Sequence, residues 1–339
     1  MSAGEERGVG VLPPLVVIVG PTAVGKTAVS LCLAEALDGE IVSADSRQVY
    51  RGMDIGTAKT TPEERGRVPH HLIDVVDPNE TLSLAQFQRL AYAAIDDILA
   101  RGRLPLLVGG SGQYVRAVVE GWGVPEVAPQ RRLRAALEAL SSDELARWLM
   151  ALDPVAAGRI DPRNRRRVIR ALEVTLVTGR PISAQQRKSP PPYRILQIGL
   201  SLARPLLYQR IDARVERMMA MGLLEETRRL AEGYGWDVSA MSGLGYAQLG
   251  AHLRGEMTLE ESVAAIKRET RRFVRQQANW FKPDDPSIHW FDAIAADHLS
   301  PDTAAGVRVP PDGQGGTHAP GAECTAEMIE RFLRDWLTR

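Results

Sequence analysis

The sequence predicts an α/β protein in which a parallel sheet, flanked by helices, is interrupted by an all-helical insertion. Three observations predict it. The run Leu15-Val16-Val17-Ile18-Val19 is continuously apolar and largely β-branched, the pattern of a strand buried on both faces. It leads through a glycine-containing loop, residues 20–27, into a helix-forming stretch at 28–37 that Asp38-Gly39 stops. From 129 to 183 the chain reads as helix, is rich in arginine and carries no convincing strand.

The other elements follow in order. Residues 41–44 read as a second short strand ending at Asp45-Ser46. Two strands joined by a helix are expected to be parallel with a right-handed crossover, so their carboxyl ends share one sheet edge. Residues 70–76 are a strand candidate, 81–100 a helix, and 104–108 a buried strand ending in Gly109-Gly110-Ser111-Gly112. Pro190-Pro191-Pro192 cannot continue a helix, and 195–200 resumes the sheet. Long helices are expected over 206–232 and 259–281. The stretch 301–323 is rich in Gly and Pro and reads as a linker. Met328, Ile329, Phe332, Leu333, Trp336 and Leu337 form an apolar stripe at helical spacing, read as a helix docking on the body.

The chain thus divides into a disordered tail (1–14), a first core part (15–120), a helical insertion (121–190), a second core part with long C-terminal helices (191–300), the linker (301–323) and an amphipathic helix (324–339). Its 339 residues suffice for a large core. Lys plus Arg equals Asp plus Glu, 42 each, which excludes a uniformly basic nucleic-acid binder but not local basic patches. Two distant cysteines, Cys32 and Cys324, make neither a disulfide framework nor a zinc site. No signal peptide or membrane span is legible, so a soluble cytoplasmic protein is expected.

Residues 20–27, Gly-Pro-Thr-Ala-Val-Gly-Lys-Thr, match G-x-x-x-x-G-K-T between a strand and a helix. This makes the fold P-loop NTPase-like. Gly20, Pro21, Thr22, Ala23, Val24 and Gly25 form such a cradle, lined by the backbone N–H groups of all but Pro21, and the helix N-terminus adds positive potential. Lys26 adds a point charge. The Thr27 hydroxyl suits a Mg²⁺ shell. The motif specifies a phosphate or diphosphate binder without naming a reaction. Asp45, on the same edge, could hold Mg²⁺, act as general base or merely cap a helix. His70-His71 lacks metal partners, and Asp284-Asp285 is not followed by the spacing of a diphosphate-metal cage.

Two basic runs stand out. Six arginines face one aspartate between 159 and 170, and six basic residues face Glu269 between 267 and 282. Adjacent Arg165, Arg166 and Arg167 span more than one helix face. Such clusters suit an RNA backbone, or an arginine lid over a nucleotide. The residues alone therefore leave open a P-loop kinase with the insert as lid, and an RNA-binding protein with an inactive loop.

Taken together, several blocks resemble the bacterial tRNA dimethylallyltransferase (tRNA isopentenyltransferase) family. They are the loop 20–27, Asp45-Ser-Arg-Gln-Val-Tyr-Arg-Gly-Met-Asp-Ile-Gly-Thr-Ala-Lys59, His70-His-Leu-Ile-Asp-Val-Val-Asp-Pro78, Gly109-Gly-Ser-Gly-Gln-Tyr114 and Arg166-Arg-Val-Ile-Arg-Ala-Leu-Glu-Val174. The resemblance covers roughly 15–292. It implies transfer of a dimethylallyl group from dimethylallyl diphosphate to N6 of adenosine-37 in tRNA, with loss of diphosphate. It also implies roles: the loop 20–27 on the diphosphate, Lys26 and Thr27 with Mg²⁺ on the leaving charge, Asp45 as base. The insertion becomes a tRNA-binding domain gripping the anticodon stem-loop. Asp45, Ser46, Arg47, Gln48, Ser111, Arg134, Arg166, Arg167, Val168, Ile169 and Arg170 become tRNA contacts. A monomer is expected. The sequence departs from the family pattern at Ser111 (usually Thr), Ala247 (usually Lys) and Gln276 (commonly Arg).

Overall fold

The computed structural model describes residues 12–294, 306–308 and 325–339. In chain order the elements are β1 (Pro14–Val19), α1 (Lys26–Ala36), β2 (Gly39–Ser43), α2 (Pro62–Arg67), β3 (His70–His71), α3 (Leu84–Ala100), β4 (Leu104–Gly109) and α4 (Gly112–Val119). Five helices follow: α5 (Arg131–Glu138), α6 (Ser142–Leu152), α7 (Pro154–Ala157), α8 (Arg165–Thr178) and α9 (Ile182–Gln185). Then come β5 (Arg194–Ser201), α10 (Arg204–Ala220), α11 (Leu223–Tyr234), α12 (Tyr246–Leu253), α13 (Leu259–Gln277), β6 (Ile288–Ile294), β7 (Gly306–Arg308) and α14 (Thr325–Thr338). None of the described helices is long and apolar enough to cross a membrane.

The strands form one sheet in the order β3-β2-β4-β1-β5-β6-β7, parallel throughout except for β7 against β6. β1 lies between β4 and β5, and all five of Leu15, Val16, Val17, Ile18 and Val19 are fully buried, as the unbroken apolar run requires. Val19 pairs with Gly109 and Ser43 with Val108, so β1, β4 and β2 end together.

The chain separates into two compact units. One comprises residues 1–83, 89–115 and 192–339 and contains the sheet. The other comprises 84–88 and 116–191. The second unit has its own core, in which Leu137, Leu145, Leu149, Val168, Leu172, Val174 and Ile182 are buried together. Val168 and Ile169 belong to this core, which withdraws their side chains from the expected RNA contacts. A buried carboxylate organises its helices. Glu173 accepts from Arg134 Nε and Nη2 at 2.8 Å each, from Arg170 Nη1 at 2.7 Å and from the Gln130 amide at 2.7 Å. Arg134 and Arg170, expected on RNA, are engaged in this clamp.

Several expectations need correction. The strand expected over 70–76 joins the sheet as a strand only at His70–His71, with a separate parallel bridge from Val76 to Tyr50, because Leu72 and Asp74 adopt left-handed backbone (φ 62° and 56°). Asp74 is held there by Lys59 and Arg65. The helix expected over 206–232 is two helices, broken at Gly222, whose φ of 98° suits glycine. The helix expected over 81–100 begins at Leu84, and that over 259–281 ends at Gln277. β6 was not expected as a strand. Within the expected linker 301–323, residues 306–308 pair with β6, and the rest lies outside the described residues, as does 1–11 of the expected tail. α14 does dock on the body: Ile329 and Leu333 are fully buried in the core that includes α1 and β1, and Arg194 stacks over Trp336 at 4.2 Å.

Burial pushes the Glu173 carboxyl up, but hydrogen bonds from Arg134, the Gln130 amide and Arg170 outweigh it and hold the group at about 2. A depressed carboxylate contributes stability above its unfolded pKa of about 4.3, and that contribution is lost as pH falls toward 2. Glu173→Ala should cost about 2–3 kcal/mol in chemical denaturation, less than a fully buried pair because both guanidinium groups are about a third exposed. The variant's stability should also fall less steeply between pH 4 and 2 than the wild type's.

Candidate active site

The site is built where β1, β2 and β4 end, the edge at which open parallel sheets bind ligands. After β1, the loop 20–27 turns into α1 through Gly25, which stands before the first helical residue at φ 110°, a left-handed conformation that a side chain would strain. Lys26 Nζ donates to the Gly20 carbonyl at 2.9 Å and the Pro21 carbonyl at 2.8 Å, so the ammonium is folded into its own loop. Burial draws its pKa down to about 8; Asp45 pulls it up and Arg214 adds to the lowering. Thr27 is exposed at the first turn of α1.

After β2, Asp45 Oδ1 accepts from the Arg47 amide at 2.8 Å and the Gln48 amide at 3.4 Å. One oxygen is thus held by backbone, as in a turn cap, while the carboxylate as a whole lies in the field of Lys26 and Arg214. After β4, Ser111 Oγ accepts from the Ser46 amide at 3.0 Å and lies 3.3 Å from Ser46 Oγ. The Asp45 and Ser111 loops are thus stitched together. Tyr114, one turn on, is pushed up to about 12 by burial, with Tyr50 and the Asp45 charge adding to it.

Arg47 and Gln48, both expected on RNA, are engaged within the protein. Arg47 donates to the Ser239 carbonyl at 3.1 Å and to Ser242 Oγ at 3.3 Å. Gln48 accepts from Ser43 Oγ at 3.0 Å and donates to the Thr57 and Ala58 carbonyls. The following loop is fixed by the buried Glu226, whose carboxylate accepts from the amides of Asp54, Ile55 and Gly56 at 2.9–3.1 Å and from the Tyr246 hydroxyl at 2.7 Å.

Arg214 is a site residue that the sequence reading missed. Burial lowers its pKa, Asp45 raises it and Arg217 lowers it. On α10, Arg210, Arg214 and Arg217 recur at helical spacing, and Arg210 Nη1 donates to the Val24 carbonyl of the loop at 3.3 Å. That spacing was legible, but nothing local says that α10 lies over the loop. In the helical unit, described by itself, Arg166 and Arg167 are exposed. Arg165 instead donates to Ser142 Oγ and to the Glu138 and Leu140 carbonyls. Asp161, Arg163, Asn164, Arg165 and Arg166 line a shallow surface depression.

Comparison with known proteins places this arrangement. The family model "IPP transferase" matches residues 48–284, and "Isopentenyl transferase" matches 13–74. The chain belongs to the IPP transferase family. A tRNA dimethylallyltransferase of Roseiflexus castenholzii is 61% identical over 291 residues, covering 84% of this chain and 95% of that protein. One from Chloroflexus aurantiacus is 53% identical over 287 residues, covering 80% and 97%. Among solved structures, the tRNA isopentenylpyrophosphate transferase of Bacillus halodurans matches with a TM-score of 0.62 and 45% identity, covering 82% of this chain and 89% of that one. A eukaryotic dimethylallyltransferase acting on tRNA matches with a TM-score of 0.73 and 29% identity, covering 83% and 74%. The P-loop-like parallel α/β fold expected from the sequence is the fold of this transferase family, and the chain is a prenyl transferase of that family.

A half-buried lysine whose pKa is drawn down to about 8 should bind anions in a pH-dependent way. The free enzyme's affinity for inorganic diphosphate should fall by about tenfold between pH 7 and 9, as the ammonium is lost. In Lys26→Met the affinity should be lower throughout, and the part of the pH dependence that Lys26 supplies should vanish. Isothermal titration across that range checks both.

Proposed function

We propose that this protein transfers a dimethylallyl group from dimethylallyl diphosphate to N6 of adenosine-37 in tRNA, giving N6-(dimethylallyl)adenosine and diphosphate. The observation that carries the reading is the meeting of a phosphate loop, a carboxylate and a half-buried arginine beside one sheet edge, in a chain whose relatives bear the name of this activity. The loop 20–27 holds the diphosphate with its amides, the α1 N-terminus and Lys26. Lys26 and Arg214 stabilise charge as it accumulates on the leaving oxygen.

The exocyclic amine of adenine is a poor nucleophile. Its nitrogen forms a bond to the allylic carbon while the carbon–oxygen bond to diphosphate breaks, the electron pair leaving with diphosphate. Asp45 accepts the N6 proton. With Oδ1 occupied by two amides, Oδ2 is the oxygen for this step. Adenosine in an anticodon loop must leave its stack to reach such a site. Arg166 and Arg167 give the helical unit an exposed cationic face for the RNA backbone.

The donor set fits Mg²⁺. Among the described residues no group of three or more His, Cys, Asp or Glu could hold a metal ion. Mg²⁺ keeps several waters and binds largely through substrate phosphates, and here the Thr27 hydroxyl would supply one protein oxygen. When bound, the ion neutralises diphosphate charge. The protein is proposed to be cytoplasmic and to act as a monomer.

Incubation with labelled dimethylallyl diphosphate and unmodified tRNA, without ATP, should place label in the RNA. ATP consumption with no labelled RNA would instead support a P-loop kinase and overturn the reading. Asp45→Ala should lower turnover by about 10²–10⁴-fold while inorganic diphosphate still binds. Turnover near wild type would remove Asp45 as the base. Arg167→Ala should weaken tRNA binding and flatten the slope of log affinity against log salt by about one. An unchanged slope removes Arg167 from the interface.

A further inference from the structure

α13 ends on Gln277, whose side chain is 5% exposed and makes two hydrogen bonds of opposite sense. Its Oε1 accepts from the backbone amide of Thr22, in the phosphate loop, at 2.9 Å. Its Nε2 donates to the carbonyl of Gly110, just past β4, at 3.0 Å. One neutral amide therefore bridges the end of β1 to the end of β4. The chain continues from Gly110 into Ser111, whose hydroxyl accepts from the Ser46 amide beside Asp45. The result is a continuous path: phosphate loop, Gln277, β4 loop, base-bearing loop.

The packing is specific to this bridge. A Cβ on Gly110 would come within 2.3 Å of Gln277 Nε2, so the residue there must be glycine for the amide to approach. Three residues on from Gln277, Trp280 lies against Gly112, where a Cβ would come within 2.2 Å of the ring. The C-terminal end of α13 and Trp280 just beyond it thus occupy the space that Gly110 and Gly112 leave open. The chemistry is specific too. Only a primary amide offers an acceptor and a donor side by side without charge. Glutamate would turn a lone pair toward the Gly110 carbonyl and bring negative charge to a phosphate site. Asparagine is one methylene short of spanning both partners.

We propose that Gln277 is a positioning residue for the transfer reaction: it fixes the phosphate loop in register with the loop that carries Asp45. It touches neither the diphosphate nor the adenine. It acts through Thr22 and Gly110, and the proposal rests on reading the loop 20–27 as the donor site. Losing the bridge lets the loop amides leave the geometry in which they converge, so donor binding suffers while the RNA-binding surface does not.

The test uses the full chain and two variants, Gln277→Met, which keeps the length and loses both hydrogen bonds, and Gly110→Ala, which keeps Gln277 and displaces it. Binding of inorganic diphosphate and of unmodified tRNA is measured by titration, with KM and kcat for each substrate and a melting temperature. Each variant should weaken diphosphate binding and raise KM for the donor by about fivefold, the worth of one to two hydrogen bonds. Affinity for tRNA, to which the exposed Arg166 and Arg167 of the helical unit contribute the backbone contacts, should stay within about twofold, because Gln277 bonds to neither. The double variant should lose little more than either alone, because both remove the same contact. Wild-type diphosphate affinity in folded variants overturns the proposal. So does an equal loss of tRNA and diphosphate affinity, which marks a general structural role. If Gln277→Met does not fold, Gly110→Ala decides; if neither folds, Gln277 is a structural residue and the positioning role is wrong. Diphosphate titration needs no prenyl transfer, so a wild-type protein that modifies no RNA would sink the proposed reaction while leaving the Gln277 result readable.

Discussion

Parallel pairing of β1 with β4, and of β4 with β2, is the constraint on which the rest depends. Because the three strands run the same way and end together, three loops far apart in sequence emerge side by side. They are the phosphate loop, the turn at Asp45 and the glycine loop at Ser111. β1 can occupy the middle of the sheet only because every one of residues 15–19 is apolar and fully buried. A polar residue in that run would disturb the base on which the phosphate loop stands as well as the local core.

Electrostatics then shapes the edge. A phosphate-binding loop gathers positive charge, and partly buried cations without a counter-charge are costly. Here Lys26 turns back onto two loop carbonyls, Arg210 donates to a third, and Asp45 supplies the opposing charge felt by Lys26 and Arg214. A diphosphate would draw these cations onto itself. The carboxylate is then relieved of its role as counter-charge as the donor arrives. In the proposed reaction this would leave a proton acceptor next to an electrophile whose leaving group is already neutralised.

Much of this was legible in the sequence, and the reason differs by element. β1, the loop 20–27 and α1 announce themselves because strand, glycine loop and helix are contiguous, and each has its own pattern. Asp45 could be placed on the correct edge from topology alone. The departures are tertiary. Residues 70–76 read as a strand candidate, but Asp74 is captured by Lys59 and Arg65 and the backbone turns left-handed. Val168, Ile169 and Arg170 on α8 and Arg134 on α5 were expected on RNA from the family resemblance, yet two are core and two clamp the buried Glu173. Charge counting cannot distinguish a guanidinium aimed at solvent from one aimed at an internal carboxylate. Arg214 and Gln277 were missed for the converse reason. Each sits on a helix remote in sequence from the loops it serves, and only the packing of α10 and α13 brings them there.

The central claim is that the loop 20–27 holds a diphosphate with the reacting carbon facing Asp45. Crystallography of the protein with a non-hydrolysable thiolo analogue of dimethylallyl diphosphate tests it most directly. The expected density has the diphosphate among the amides of 23–27, in contact with Lys26 and Arg214, and the prenyl carbon directed toward the Asp45 carboxylate. Diphosphate bound elsewhere, or a prenyl chain directed away from Asp45, would contradict it.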